Sequence, residues 1–187
     1  GGAGWLAEEF AALGVPFDDR GRRLDEYVAL MKALWEGGKT TFDGEFFQLR
    51  RTGMWPKPVQ KPHVPLWFGG QHPDALRRAV RFADGYTCAG PNTTDEFEGF
   101  VGQIRQYLDE EGRDPATLPL SKRVYLAIDD DEARAKRRLD GFFGSRYPWQ
   151  IQRNPDFVAD ICVWGSTARV AEGLARVARI GATTIIT

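Results

Sequence analysis

Cysteine and histidine are scarce in this 187-residue chain, which contains two of each. Cys88 and Cys162 are too few for a disulfide framework, so the sequence favours the reducing cytoplasm. Neither the cysteines nor His63 and His72 show metal-ligand spacing, and we expect no metal site. Charge of one sign is not in excess either, because 25 basic and 26 acidic residues give a formal charge of −1. This balance gives no reason to expect binding to nucleic acid or to an anionic membrane.

Long hydrophobic runs are also missing. No apolar stretch approaches the roughly 20 residues of a transmembrane helix, and no signal peptide is visible. The chain begins with Gly1-Gly2-Ala3-Gly4, without an initiator methionine, and stops at Thr187 directly after an apolar run. Both ends are therefore predicted to cut through structural elements.

What the sequence does contain is a repeated alternation of strand and helix patterns. Helical spacing of apolar residues predicts helices that begin near residues 19, 73, 95, 132 and 166. Strands are predicted over 64–68, 86–89, 123–128 and 183–186. Such alternation implies a parallel sheet with right-handed crossovers. Four clear units and a partial one resemble the second half of a (β/α)8 barrel, and an open doubly wound sheet is the alternative.

The connections between these elements carry their own signals. Residues 40–49 alternate around Asp43-Gly44, which predicts a hairpin with a two-residue turn. Prolines cluster within residues 53–65 and predict an extended connector. Residues 144–163 show no clear periodicity and are predicted to be irregular.

The most informative segment runs from Val64 to Ala79, where a short apolar strand meets two glycines and then a helix. Pro73 suits the first turn of that helix, because its missing N–H is not needed there. Gly69 and Gly70 let the backbone approach an anion closely, and the helix dipole favours negative charge at this end. The segment is therefore a candidate site for a cofactor phosphate. The alternative is a tight connection that needs glycine dihedral angles and binds nothing.

Several motifs follow one another in order along nearly the whole chain. They are Gly2-Ala3-Gly4-Trp5-Leu6, Arg20 to Tyr27, Phe42 to Phe47, Pro56 to His63, Pro65 to Gly70, Ala75 to Ala79, Ala83-Asp84-Gly85 and Gly165 to Ala182. Each motif is weak by itself. In this order they resemble the bacterial luciferase-like (LLM class) oxidoreductases, and most closely the coenzyme F420-dependent subgroup. The chain is similar to the C-terminal portion of that family's domain.

This resemblance implies an incomplete (β/α)8 TIM barrel of the luciferase-like type, roughly strands 4 or 5 to 8. It implies a single domain over residues 1–187, truncated at the N-terminus and, we expect, at the C-terminus. The cofactor would be F420, or alternatively FMN, bound at the carboxyl ends of the strands with hydride transfer at its ring. The family's acid/base side chains lie partly in earlier strands, so the catalytic residues are unknown here.

Two turns can be carried over from the family by motif position. The first is expected to border the cofactor ring or ribityl chain and consists of Gly2, Ala3, Gly4 and Trp5. The second is expected to offer backbone donors to the cofactor phosphate and consists of Gly69, Gly70 and Gln71. Residues 87–90, after the next strand, are a further lining segment.

Other polar side chains have two interpretations each. His72 either donates to a phosphate or caps the helix. Residues 129–132 are predicted to cap a helix rather than to hold a metal, and Tyr86 and Cys88 are predicted to pack in the core. A group of arginines could bind the acidic tail of F420, but a solvated face is the interpretation we favour; the group consists of Arg20, Arg22, Arg23, Arg50 and Arg51.

Three functions are compatible with these residues. The first is an F420-dependent oxidoreductase that transfers a hydride between the deazaflavin and an unknown small organic substrate. The second is an FMN-dependent luciferase-like monooxygenase that uses reduced flavin and O2, with a flavin reductase as partner. The third is a non-enzymatic flavin-binding protein or an inactive fragment. A homodimer is compatible with the family. No paired-carboxylate or Ser/His/Asp pattern stands out, as expected where a cofactor carries the chemistry.

Overall fold

Two compact units make up the chain, Gly1–Asp84 and Gly85–Thr187, in a computed structural model that describes residues 1–187. The first unit contains, in order, α1 (Ala7–Ala12), α2 (Arg20–Glu36), β1 (Thr40–Asp43), β2 (Gln48–Thr52), β3 (Trp67–Gly69) and α3 (Pro73–Phe82). The second contains β4 (Gly85–Cys88), α4 (Thr94–Glu110), β5 (Leu120–Arg123), β6 (Tyr125–Ile128), α5 (Glu132–Arg146), α6 (Pro148–Arg153), α7 (Phe157–Ile161), β7 (Cys162–Gly165), α8 (Thr167–Ile180) and β8 (Thr184–Ile186). No helix combines the length and apolarity that a bilayer crossing requires. The single domain over 1–187 stays a prediction.

Helix α2 begins after Asp19 and ends before Gly37, as its sequence predicts. The helix buries Val28 of the predicted apolar stripe against the first unit. A carboxylate on its more polar side, Asp25, pairs with Arg78 of α3. Because Arg78 is only 13% exposed and Asp25 34%, this pair is partly shielded from water and ties the two helices together.

The hairpin of β1 and β2 is antiparallel, but the predicted two-residue turn is wrong. Asp43 pairs with Gln48, so the loop between them has four residues. Its conformation depends on Glu26 of α2, whose carboxylate accepts the backbone N–H groups of Phe46 at 3.0 Å and Phe47 at 2.6 Å. This contact joins residues about twenty positions apart, and the local Asp-Gly signal therefore could not indicate it.

All strand pairs of the second unit are parallel: β4 with β5, β5 with β8, and β6 with β7. This arrangement confirms the predicted parallel α/β class. Apolar residues of α4 and α8 are buried, and Tyr86 and Cys88 of β4 are buried as predicted, at 0% and 2% exposure. Helix α4 starts with a capping box, in which Thr93 and Glu96 each accept the other's backbone N–H.

Residues 144–163 are not irregular, contrary to the prediction. Helix α5 runs through the first of these residues, and α6, α7 and β7 follow. They pack around Phe143, whose ring centroid lies 4.9 Å from that of Tyr125, 5.1 Å from Phe157 and 5.7 Å from Tyr147. Helices of six and five residues are too short to show a helical repeat, and this explains the error.

The predicted strand over 123–128 consists of two strands. β5 ends at Arg123 and β6 begins at Tyr125, and the two take different partners. Val124 lies between them and donates its N–H to the Ile186 carbonyl at 2.8 Å, so it continues the hydrogen bonding of β5 with β8. The break therefore places Arg123 at the carboxyl end of β5.

The acidic run before α5 caps that helix, as predicted. The Asp131 side chain accepts the Arg134 N–H at 3.0 Å. Asp129 pairs with the Arg134 guanidinium through both carboxylate oxygens at 2.6 Å. These hydrogen bonds favour the ionised carboxyl group and lower the pKa of Asp129 to about 2.

Candidate functional site

The chain segment before α1 lies beside β3. The Gly1 amino group donates to the Trp67 carbonyl, and the Gly69 N–H donates to the Gly1 carbonyl at 2.9 Å. This is the bonding pattern of a parallel pair, with Gly1 opposite Phe68. Gly2 follows to the carboxyl end of β3, where a Cβ added to it would lie 3.7 Å from the Gly69 carbonyl oxygen. The structure thus brings the two predicted turns together at one strand end.

Gly70 makes the turn from β3 into α3. Its φ of +146° lies in a region that residues with a side chain rarely adopt, and an added Cβ would lie 2.5 Å from the Cβ of Ala75. Only glycine therefore fits this turn. The N–H of Gly69, which we predicted as a phosphate donor, is donated to Gly1 instead. The phosphate contact predicted for Gly70 and Gln71 stays a prediction.

His72 is the N-cap residue of α3, which supports the capping interpretation of this side chain. Its Nδ1 accepts the Asp74 N–H at 3.3 Å, and Pro73 occupies the first turn as predicted. The imidazole and the Asp74 carboxylate are 3.4 Å apart, and both side chains are about three-quarters exposed. The Asp74 carboxylate itself complements the helix dipole and would repel a phosphate.

A cavity of about 260 Å³ opens beside the turn formed by Gly2 to Trp5. Its walls include Gly2, Ala3, Phe10, Arg20, Leu24 and Tyr27. Pockets for drug-sized ligands and cofactors measure about 300–1,000 Å³. This cavity therefore has room for one part of a cofactor or substrate rather than for a whole cofactor.

Gly4 fits closely against α1. It has a φ of +85°, and a Cβ added there would lie 2.7 Å from the Phe10 ring. Phe10 packs edge to face on Phe17, with ring centroids 5.2 Å apart. Arg20 lies over the Phe17 ring at 3.7 Å and donates from Nε to the Gly4 carbonyl at 3.3 Å. Arg20 therefore supports the turn directly, a role that the favoured solvated-face interpretation missed.

Most of the other arginines in the predicted group pair with carboxylates. The pairs are Arg22 with Glu45 at 2.6 Å, Arg23 with Asp19 at 2.8 Å and Arg50 with Asp43 at 3.7 Å. The side chains of Arg22 and Arg50 are 64% and 71% exposed, as expected of a solvated face. Local carboxylates already balance these three charges, so the pairing favours that interpretation over a site for an acidic tail.

The amino end of β3 is held by Asp84, a residue that sequence reasoning placed only in a turn. Its carboxylate accepts the Leu66 N–H at 2.7 Å, and its own N–H donates to the Leu66 carbonyl at 2.7 Å. His63 Nδ1 lies 3.8 Å from the same carboxylate, and its ring lies against Trp35. The strand that leads to the candidate site is thus fixed at both ends.

Trp5 and the segment 87–90 complete the set of predicted site residues. Trp5 follows the first turn and is 84% exposed, so its indole is accessible to a ligand. Residues 87–90 lie at the carboxyl end of β4, in the second unit. The catalytic residues stay unknown.

The family model described as luciferase-like monooxygenase matches residues 2–184. The chain belongs to this family. The relatives of this chain include both F420-dependent and FMN-dependent enzymes.

Relatives with named activities fall into these two cofactor groups. An F420-dependent glucose-6-phosphate dehydrogenase of Kineococcus radiotolerans is 31% identical over 128 residues, 66% of this chain and 37% of the relative. An FMNH2-dependent dimethylsulfone monooxygenase of Pseudomonas putida is 30% identical over 136 residues, 71% of this chain and 37% of the relative. An uncharacterized protein of Mycobacterium tuberculosis is 35% identical over 150 residues, 77% of this chain and 49% of the relative. The chain thus spans about half the length, or less, of the curated relatives it matches.

The fold comparison agrees with the family. The structure of an F420-dependent secondary alcohol dehydrogenase in complex with an F420-acetone adduct matches 99% of this chain and 61% of that chain. The TM-score is 0.78 at 20% sequence identity. The luciferase-like TIM-barrel fold predicted from the sequence is therefore confirmed.

Proposed function

We propose that this chain holds the phosphate end of a cofactor and takes part in the F420-dependent oxidation or reduction of a small organic molecule. The pairing of Gly1 with β3 supports this function, because it gathers Gly2 to Trp5 and Gly70-Gln71 at the carboxyl end of that strand. Ligands of parallel β/α proteins bind at this end of the strands. The relative from Kineococcus radiotolerans is F420-dependent by name.

The residues at this strand end fit a phosphate in two respects. The N-terminus of α3 directs the positive end of its dipole there, and Gly70 has no side chain to block close approach of the backbone. The Asp74 carboxylate opposes an anion, but its 75% exposure lets solvent screen that charge. Gly70 and Gln71 would hold the phosphate, and Gly2 to Trp5 would limit the position of the ring.

When bound, F420 supplies the hydride chemistry at its deazaflavin ring. The chain's own contribution is to bind and orient. Trp5 offers an exposed aromatic surface to a ring system, and the cavity beside Phe10 and Leu24 offers apolar contacts to an adjoining group. The two buried thiols fit a reducing compartment, and we propose a cytoplasmic enzyme.

An FMN-dependent monooxygenase is the second candidate. The 30% identity to the Pseudomonas putida enzyme favours it, and that function would add a flavin reductase as partner. Backbone contacts to a phosphate serve FMN and F420 equally. Cofactor binding without turnover would indicate a third function, that of a flavin-binding protein.

Separate titrations with F420 and FMN, followed by tryptophan emission, test these proposals. Trp5→Phe removes the indole at the candidate site, and Trp149→Phe removes a 57% exposed indole of the second unit as a matched control. Saturable quenching that Trp5→Phe reduces and Trp149→Phe leaves unchanged supports the site. The cofactor with the lower Kd then identifies the class. Quenching by neither cofactor overturns the proposal.

A further inference from the structure

One face of the three parallel strands β4, β5 and β8 carries polar side chains, with Ile186 of β8 beside Arg123 as the apolar neighbour. The register pairs Thr87 with Ser121 and Ser121 with Thr184, so three hydroxyl side chains form a row across the strands. Arg123 stands two residues further along β5 and shares the face of Ser121, because side chains alternate along a strand. The row and the guanidinium therefore belong to one surface at the carboxyl end of β5.

Two polar atoms on this surface are buried and have no hydrogen-bond partner, the Oγ of Ser121 and the Nε of Arg123. Ser121 is 1% exposed. Burying an unpaired donor costs about 1–3 kcal/mol, and such groups are rare in folded proteins. The guanidinium of Arg123 does contact the Tyr125 ring, 5.1 Å from its centroid, which holds the side chain over the strand.

The charge around Arg123 is positive. Lys122, its neighbour on the opposite face of β5, is 2% exposed and donates to the backbone carbonyls of Asn92 at 2.7 Å and Arg123 at 3.1 Å. Carbonyl groups accept these hydrogen bonds without neutralising the ammonium charge. The carboxylate whose charge acts on Lys122 is Glu96, and it already accepts the Thr93 N–H. Lys122 and Arg123 thus place two adjacent positive charges on opposite faces of β5, and the carboxylate that acts on Lys122 is already hydrogen-bonded to Thr93.

We propose that Ser121 and Arg123 form a binding site for an oxyanion, a carboxylate or phosphate group of a small molecule. Arginine presents a planar fork of donors that matches both groups. The Ser121 hydroxyl supplies a second donor on the same face. Arg123 is the last residue of its strand, the position at which parallel barrels bind ligands. The site uses only residues of the second unit, so it does not depend on the cofactor contacts proposed at β3.

Arginine Nε–Hε resonances in ¹H–¹⁵N spectra of the whole chain test the site, with inorganic phosphate and acetate as separate probes. The Arg123 resonance, assigned by its loss in Arg123→Lys, should shift saturably with one of them. The probe that binds more tightly identifies the class of oxyanion. Arg176→Lys, the same change in an exposed arginine of α8 that pairs with Asp95, should leave the titration unchanged.

The effect of Ser121→Ala separates binding from packing. Its hydroxyl has no partner, so removing it should leave the free energy of unfolding unchanged or raise it, while anion affinity falls about 10-fold. Two results would overturn the proposal. One is an Arg123 resonance that does not respond at about 50 mM of either anion, far above a Kd of roughly 1 mM for so small a ligand. The other is an equal affinity in Ser121→Ala and the unsubstituted chain.

Discussion

Replacing Gly70 with alanine should distort the turn between β3 and α3, where we place the cofactor phosphate. The added Cβ would lie 2.5 Å from the Cβ of Ala75, whereas carbon atoms in contact stay about 3.5–4.0 Å apart. Ala75 belongs to the first turn of α3, so no flexible side chain can move to relieve the overlap. Either the turn or the helix end has to shift.

The expected size of the effect follows from two contributions. A side chain at a φ of +146° costs about 1–3 kcal/mol, and the steric overlap adds about 1–3 kcal/mol. Gly70→Ala should therefore lower the free energy of unfolding by about 2–6 kcal/mol. In the double variant Gly70→Ala/Ala75→Gly the nearest atom of residue 75 is its Cα, at 3.9 Å. The double variant should therefore recover about 1–3 kcal/mol relative to the sum of the single variants.

Guanidinium unfolding of the four forms measures these values, and a cofactor titration follows for every variant that stays folded. Gly99→Ala is the matched control, because Gly99 lies inside α4 with open space around it and should gain about 0.5–1 kcal/mol as alanine. A change below about 0.5 kcal/mol in Gly70→Ala would refute the strain argument. Additive effects of the two single substitutions would refute the assignment of the overlap to Ala75.

Three further predictions concern other parts of the chain. Asp84→Ala should lower the free energy of unfolding by about 1–3 kcal/mol, because the Asp84 carboxylate accepts the backbone N–H of Leu66 just before β3. An unchanged midpoint of urea unfolding would contradict this prediction. Cys88 and Cys162 should react slowly with a thiol reagent in the native chain, because burial raises the pKa of both thiols, that of Cys162 to about 12. Fast labelling of the native chain would show this prediction to be wrong. Asp129→Asn should lower the free energy of unfolding at neutral pH. The gap between variant and unsubstituted chain should fade between pH of about 4 and 2, since the pairing with Arg134 is lost as pH falls through the lowered pKa of Asp129. A gap that does not change with pH would contradict this prediction.

Long, strongly periodic elements could be predicted from the sequence. Helices α2, α4 and α8 combine apolar residues at helical spacing with clear start and stop residues, and all three begin and end close to their predicted bounds. The prediction failed where structure depends on distant partners or on short elements. Glu26, which lies in α2, determines the conformation of the hairpin loop. Helices α6 and α7 are too short to show a helical repeat.

The candidate site could be predicted only in part. The glycines of both turns were visible as motifs, because the sequence itself shows where the backbone carries no side chain. The pairing of Gly1 with β3 was not visible, since it joins residues more than sixty positions apart. In the same pairing the N–H of Gly69 donates to the Gly1 carbonyl, so it is not available to a phosphate. Arg123 was overlooked because it was predicted inside a longer strand, and only the break at Val124 shows that it ends β5.

A map of backbone amide shifts is the most direct test of the claim that the carboxyl end of β3 binds the cofactor. F420 and FMN would be added separately to the ¹⁵N-labelled chain. We predict that the amides of residues 2–5 and 70–71 shift together, with one Kd, for the cofactor that the chain uses. Saturable shifts confined to other residues, or no shift with either cofactor, would contradict the account.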